Sequence, residues 1–349
     1  MTEPHPPLSF SRVFKVVLPV ALVGVAAYWW SSRLESAARR EMADNNFARI
    51  LGSAPALAST KMNYPDKDGD MVADPPADED CIAPEALKFS YVAGEEESVP
   101  AETWDALIKA LAETTGREVT YIHYPTTEEQ LAALKKGEVH VIGLNTGAVP
   151  AAVGQYGFVP VCTLGHEDGS FGYTMKLLVP AGSTIKKPAD IRGHKVTFTR
   201  PDSNSGCKAP LVLLKYEFDL QPDQDYDWGF SMGHDESIQG VAAKEFDAAP
   251  VASDMLDRAI ANGEVQEDAI ETIYESERFP PAAIGYAHNL TPELREAIRE
   301  TLLNFNWEGT ALQEAFAAEA TKFVPVNYKD DWANIRRIDR TVAQAQKGA

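Results

Sequence analysis

From residue 87 onward, short β-branched or aromatic runs alternate with segments of helical periodicity, and this alternation limits the chain to very few folds. The run LKFSYVA at 87–93 reads as a strand, and residues 100–115 follow as a helix with Trp104, Leu107, Ile108 and Leu111 on one face. That helix stops at Gly116. A strand at 119–123, a helix opened by Thr126-Thr127-Glu128-Glu129 and closed at Gly137, and a strand at 139–144 repeat the unit. Strand and helix in turn signal a parallel α/β sheet.

Further strands are expected at 158–164, 173–180, 191–199 and 270–275, with helices at 207–218, 235–244 and 291–304 and more helix to the end. In the last named helix Thr291 is a natural N-cap and Pro292 fits the first helical position. About 260 residues of this pattern suit two α/β lobes better than one core.

The charge is distributed unevenly. The 349 residues carry 32 Lys+Arg against 52 Asp+Glu, a net charge of −20, yet residues 1–40 are net +3. The acidic total argues against nucleic acid, whose phosphates are held by Lys/Arg surfaces. Between Lys15 and Arg33 run seventeen residues without a charge. This predicts either an uncleaved signal-anchor over 13–32 or a cleaved signal peptide, and hence export to the periplasm or extracytoplasmic face. Residues 41–86, with ten acids and three bases, read as an acidic Pro/Ala/Asp linker. Within it Asp66, Asp68, Asp70 and Asp74 are spaced as in short calcium loops, so the stretch is either a solvated linker or a weak calcium site.

Asp202–Tyr216, DSNSGCKAPLVLLKY, carries the chemistry. A strand ends, Ser203-Asn204-Ser205-Gly206 turns, and a helix starts. Its first N–H groups have no helical partner and sit at the positive end of the dipole, while Gly206 lets an anion approach the backbone. Cys162 ends the run FVPVC and Cys207 sits at that helix start, where a thiol can become a thiolate; the two read as buried spectator cysteines, as possible soft ligands, or as disulfide partners. A nucleophilic set of Cys207, His234 and Asp254 would make an acyl-transfer enzyme, but no HExxH, GxSxG or CxxC pattern accompanies it.

The stretch GYTMKLLVPAGSTIKKPADIRGHKVTFTRPDSNSGCKAPLVLL, with LAALKKGEVHVIGLNTGA before it and SMGHDESIQGVAAKEFDAAPVASD after it, resembles the phosphonate-type branch of the type II periplasmic binding proteins. The resemblance implies two α/β lobes joined by two crossing strands: 87–178 and 276–349 forming one lobe, 179–275 the other. It implies that Ser203, Asn204 and Ser205 hold an oxyanion, with Asn where Thr is usual. It places His234, Asp254, Asn145 and Thr146 around the ligand. Asn145-Thr146 replaces the family's Gly-Pro, and Val149 stands where a Tyr is often found, so the organic side of the pocket differs. The implied function is capture of phosphonate, phosphite or phosphate by a monomer, without catalysis or cofactor, for the permease and ATPase of an ABC importer. The alternative is a periplasmic sensor of an oxyanion such as arsenite, signalling to a membrane histidine kinase.

Overall fold

The computed structural model of the chain describes residues 62–92, 99–317 and 319–347, together with Trp30, Arg33 and Ile50. The expected membrane segment at 13–32 lies outside these residues except for Trp30. Among the described residues no helix is long and apolar enough to cross a membrane.

The first sheet has the order β11-β4-β10-β3-β1-β2. Strands β1 (Ala86–Ser90), β2 (Glu118–Tyr121) and β3 (Val141–Leu144) are parallel, as the alternation predicts. They are linked by helices α1 (Asp105–Thr115) and α2 (Thr127–Lys136). Both helices end on a left-handed glycine, Gly116 at φ 65° and Gly137 at φ 70°. At the start of α2, Thr126 Oγ1 accepts from the Glu129 amide at 3.2 Å. Trp104, Leu107 and Leu111 are fully buried against this sheet. Strand β10 (Ala283–Ala287) runs antiparallel to both β3 and β4 (Phe158–Gly165).

The second sheet is built around β5 (Met175–Pro180), which pairs antiparallel with β8 (Ala249–Ala252) and β9 (Ile270–Glu275). The parallel pair β6 (Lys195–Phe198) and β7 (Asp227–Phe230) joins it through a bridge from Val196 to Ala248. The chain therefore leaves the first sheet after Gly165 and returns to it at Ala283. Residue 178, taken above as a lobe boundary, falls inside β5.

Three further expectations change. The 191–199 segment is a 3₁₀ turn (Pro188–Ile191) followed by the shorter strand β6. The chain after 304 is not all helix, because β11 (Lys322–Pro325) forms the edge of the first sheet. Thr291 occupies the N-cap position of the helix Pro292–Asn304, but its side chain makes no cap bond there.

Nor is the described part of the acidic segment a free linker. Asn63 N donates to Gly154 O at 2.7 Å, Ile82 N donates to Asn289 O at 2.7 Å, and the Tyr64 and His288 rings lie 4.5 Å apart. Acidic composition left the backbone free to pair, and backbone pairing fastens residues 62–86 to the body.

Candidate functional site

A cavity of about 120 Å³ opens between the two sheets. Ser203, Asn204, Ser205, His234, Asp254, Asn145 and Thr146 all line it, so the structure brings together seven of the eight residues expected around an anion. Gly206 does not. A Cβ there would meet Thr199 Oγ1 at 1.8 Å, so the glycine is needed for close packing behind the loop rather than for ligand approach.

Ser203 caps the turn, its Oγ accepting from Gly206 N at 3.0 Å, which leaves its hydroxyl proton to donate. The loop then winds as a wide turn over Asn204–Lys208 into helix α3 (Ala209–Tyr216). Both amide atoms of Asn204 are buried without a hydrogen-bond partner. His234 begins helix α4 (His234–Ala242). Its Nδ1 accepts from Ala252 N at 3.2 Å, and Nε2 lies 3.5 Å from Ser203 Oγ. Burial, with Arg200 and Arg258 nearby, pushes its pKa down to about 3. The ring is therefore neutral, and with Nδ1 accepting, its proton is on Nε2, facing the hydroxyls. Tyr173 closes the same side. Burial pushes its phenol up to about 12 despite the neighbouring Thr146, Ser205 and Asn204 side chains.

The first-lobe residues have another role than direct donation. Asn145 Nδ2 donates to Asp202 Oδ2 at 3.0 Å while its Oδ1 accepts from Ala148 N, and Thr146 Oγ1 donates to Pro280 O at 2.7 Å. Asp202 also accepts from Thr127 Oγ1 at 2.8 Å and from Arg200. Burial raises its pKa, but Arg200, Thr127, Asn145 and Lys208 together outweigh burial and hold the carboxyl below its usual range. This carboxylate ties the anion loop to the opposite lobe.

Residues that the sequence did not single out also line the cavity: Tyr91, Arg200, Arg258, Phe316 and Glu319. Asp254 and Arg258 share helix α5 (Ser253–Ala261) one turn apart, and that spacing was a usable signal. Glu319 gave none, because it arrives from a distant segment to accept from Arg258 Nη1 at 3.4 Å. Burial pushes Asp254 up to about 6. Burial and then Asp254 push Glu319 up to about 7, against the pull of Arg258. The cavity thus combines neutral donors with the guanidiniums of Arg200 and Arg258 and the carboxyl groups of Asp254 and Glu319.

Of the cysteine readings, the buried one agrees with the structure. Cys162 and Cys207 are completely buried and line no part of the cavity, and burial raises both thiols instead of letting the helix start lower Cys207. Soft ligation in the cleft and a Cys207 nucleophile both lose their geometric basis. In the aspartate-rich loop, carboxylate oxygens of Asp66, Asp68 and Asp70 converge within 4.8 Å. Asp74 stands apart from that group and accepts from Lys67 N at 2.9 Å.

Two sheets, two connections between them and a donor-lined cavity at their junction define a type II periplasmic-binding-protein-like α/β fold. A profile of the family described as "ABC transporter, phosphonate, periplasmic substrate-binding protein" matches residues 89–332, and the chain belongs to that family. The phosphonates-binding periplasmic protein of Escherichia coli (strain K12) is 22% identical over 251 residues, covering 70% of this chain and 73% of that protein. PhnD1 from Prochlorococcus marinus in complex with methylphosphonate superposes with a TM-score of 0.63 at 15% identity, over 74% of this chain and 99% of the other. A binding-protein component of an ABC phosphonate transporter from Pseudomonas aeruginosa gives a TM-score of 0.61 at 16% identity, over 75% and 97%. The family is one of substrate-binding transport proteins.

Proposed function

We propose that the chain captures a phosphonate, phosphite or phosphate between its lobes and delivers it to the permease and ATPase of an ABC importer. The observation that carries this reading is the tautomer of His234. Its acceptor nitrogen is occupied by Ala252 N, so the cavity meets a neutral Nε2–H beside the Ser203 hydroxyl. Beside the Arg200 and Arg258 guanidiniums that also line the cavity, neutral donors stabilise an anion without the desolvation cost of a further buried cation. This also reconciles an anion ligand with a net charge of −20.

In this reading Ser203, Asn204, Ser205, His234 and Tyr173 hold the phosphorus oxygens. Asp254 and Glu319 face the organic substituent, and an ammonium there, as in an aminoalkylphosphonate, would be met by carboxylates. The cleft is complete within one chain, which fits a monomer. The charge-free run at 16–32 with basic flanks supports anchoring at the periplasmic membrane face. Ser205→Ala tests the cradle: loss of a hydroxyl donor to a charged oxygen should weaken methylphosphonate binding by roughly 1–3 kcal/mol in calorimetry. An unchanged affinity removes Ser205 from the site.

A further inference from the structure

Lys208 closes the anion loop, yet its side chain does not enter the cavity. It is 1% exposed, and its Nζ donates to Gly147 O at 2.7 Å and to Asp339 Oδ1 at 2.7 Å. Gly147 follows Asn145-Thr146 in the first lobe. Asp339 is 0% exposed on helix α6 (Ala333–Lys347). Just before that helix, Trp332 Nε1 donates to Thr146 O at 3.2 Å. One C-terminal element therefore holds the first-lobe turn through Trp332 and the anion loop through Asp339, with the Lys208 ammonium bridging the two lobes.

A buried ion pair is poor at stabilising a fold, since an apolar pair of similar volume often does as well or better. What an apolar pair cannot supply is the third partner, the Gly147 carbonyl across the cleft. We propose that Lys208 and Asp339 are a positioning pair. Asp339 aims the ammonium at Gly147 O, and this bond holds Ser203–Lys208 in register with the opposite lobe so that the oxyanion donors converge. The proposal rests on the oxyanion reading of the cleft for its effect on affinity, but not for its effect on the loop.

The test compares wild type with Asp339→Asn and with the double variant Lys208→Met/Asp339→Leu. Asp339→Asn leaves the ammonium without its buried counter-charge while Gly147 O remains a partner. The double variant restores an uncharged interior and separates fold stability from positioning. Expected is backbone amide exchange about tenfold faster over 203–208 in both ligand-free variants, with strands β1 and β3 unchanged. Methylphosphonate affinity should fall about tenfold in both, even where the double variant regains the wild-type melting temperature. Unchanged exchange over 203–208 overturns the proposal whatever the affinity does, as does a double variant with wild-type exchange and affinity. If the double variant does not fold, exchange in Asp339→Asn decides. A wild type that does not bind methylphosphonate counts against the oxyanion reading alone, because the exchange comparison needs no ligand.

Discussion

The Ala252 amide donates to Nδ1 of His234 at 3.2 Å, and that bond decides which nitrogen of the ring faces the cleft with a proton. With its pKa held at about 3 by burial and the Arg200 and Arg258 charges, His234 should remain the neutral Nε2–H tautomer from pH 8 to below pH 5. Nitrogen-15 shifts of the ring check this directly, and a doubly protonated ring at pH 6 contradicts it. The unfolded chain takes up this proton near the ordinary imidazole value of 6.5 while the folded one refuses it until about 3. His234 therefore removes stability as pH falls through that window.

Asp254 and Glu319 work in the opposite sense. Their folded pKa values, about 6 and about 7, lie above the ordinary carboxylate values, so the folded state binds more protons between these limits. Stability contributed in acid is lost as pH rises through 6–7. Urea unfolding at pH 5 and pH 8 should show a smaller loss in Glu319→Gln than in wild type. Affinity for an aminoalkylphosphonate, relative to methylphosphonate, should rise over the same interval as the carboxylates ionise. A flat ratio separates these acids from the ligand.

Gly147 and Asp202 meet across the lobes. A Cβ at 147 would lie 2.3 Å from the Asp202 carbonyl oxygen and 3.0 Å from Asn204 N. Gly147→Ala should hold the lobes apart and weaken methylphosphonate by about tenfold or more, the scale of 1.4 kcal/mol. Small-angle scattering at saturating ligand should give a larger radius than wild type. Equal radii and equal affinity contradict the contact.

Thiol chemistry gives a simple check on the cysteines. Cys81 is partly exposed, whereas Cys162 and Cys207 are buried. A charged thiol reagent should modify Cys81 readily in the native protein and reach the other two only after denaturation. Rapid native modification of Cys207 would restore the thiolate reading.

Local signals were the ones the sequence displayed well. Gly116 and Gly137 end helices because backbone chirality makes a left-handed stop favour glycine, and Thr126 caps because its hydroxyl reaches an amide three residues on. Ser203 through Ser205 were legible for the same reason. Effects set by distant neighbours were not. The helix start made an activated Cys207 one of several readings, but burial by the surrounding core overrides the dipole. Gly206 looked like a ligand approach and instead makes room for Thr199. Glu319 reaches Arg258 from sixty-one residues away in sequence. The short β11 is recognisable as a strand only once β4 offers it an edge.

The proposed role of the Ser203–Ser205 turn and the neutral His234 is to bind a small phosphorus oxyanion. Isothermal titration of the wild-type protein at pH 7.5 with methylphosphonate, phosphite, phosphate and arsenite tests it most directly. Expected is one saturable site for a phosphorus oxyanion, of about micromolar affinity or tighter, near −8 kcal/mol, with arsenite weaker because both buried thiols lie outside the cavity. No heat with any phosphorus oxyanion, or arsenite as the tightest binder, would contradict it.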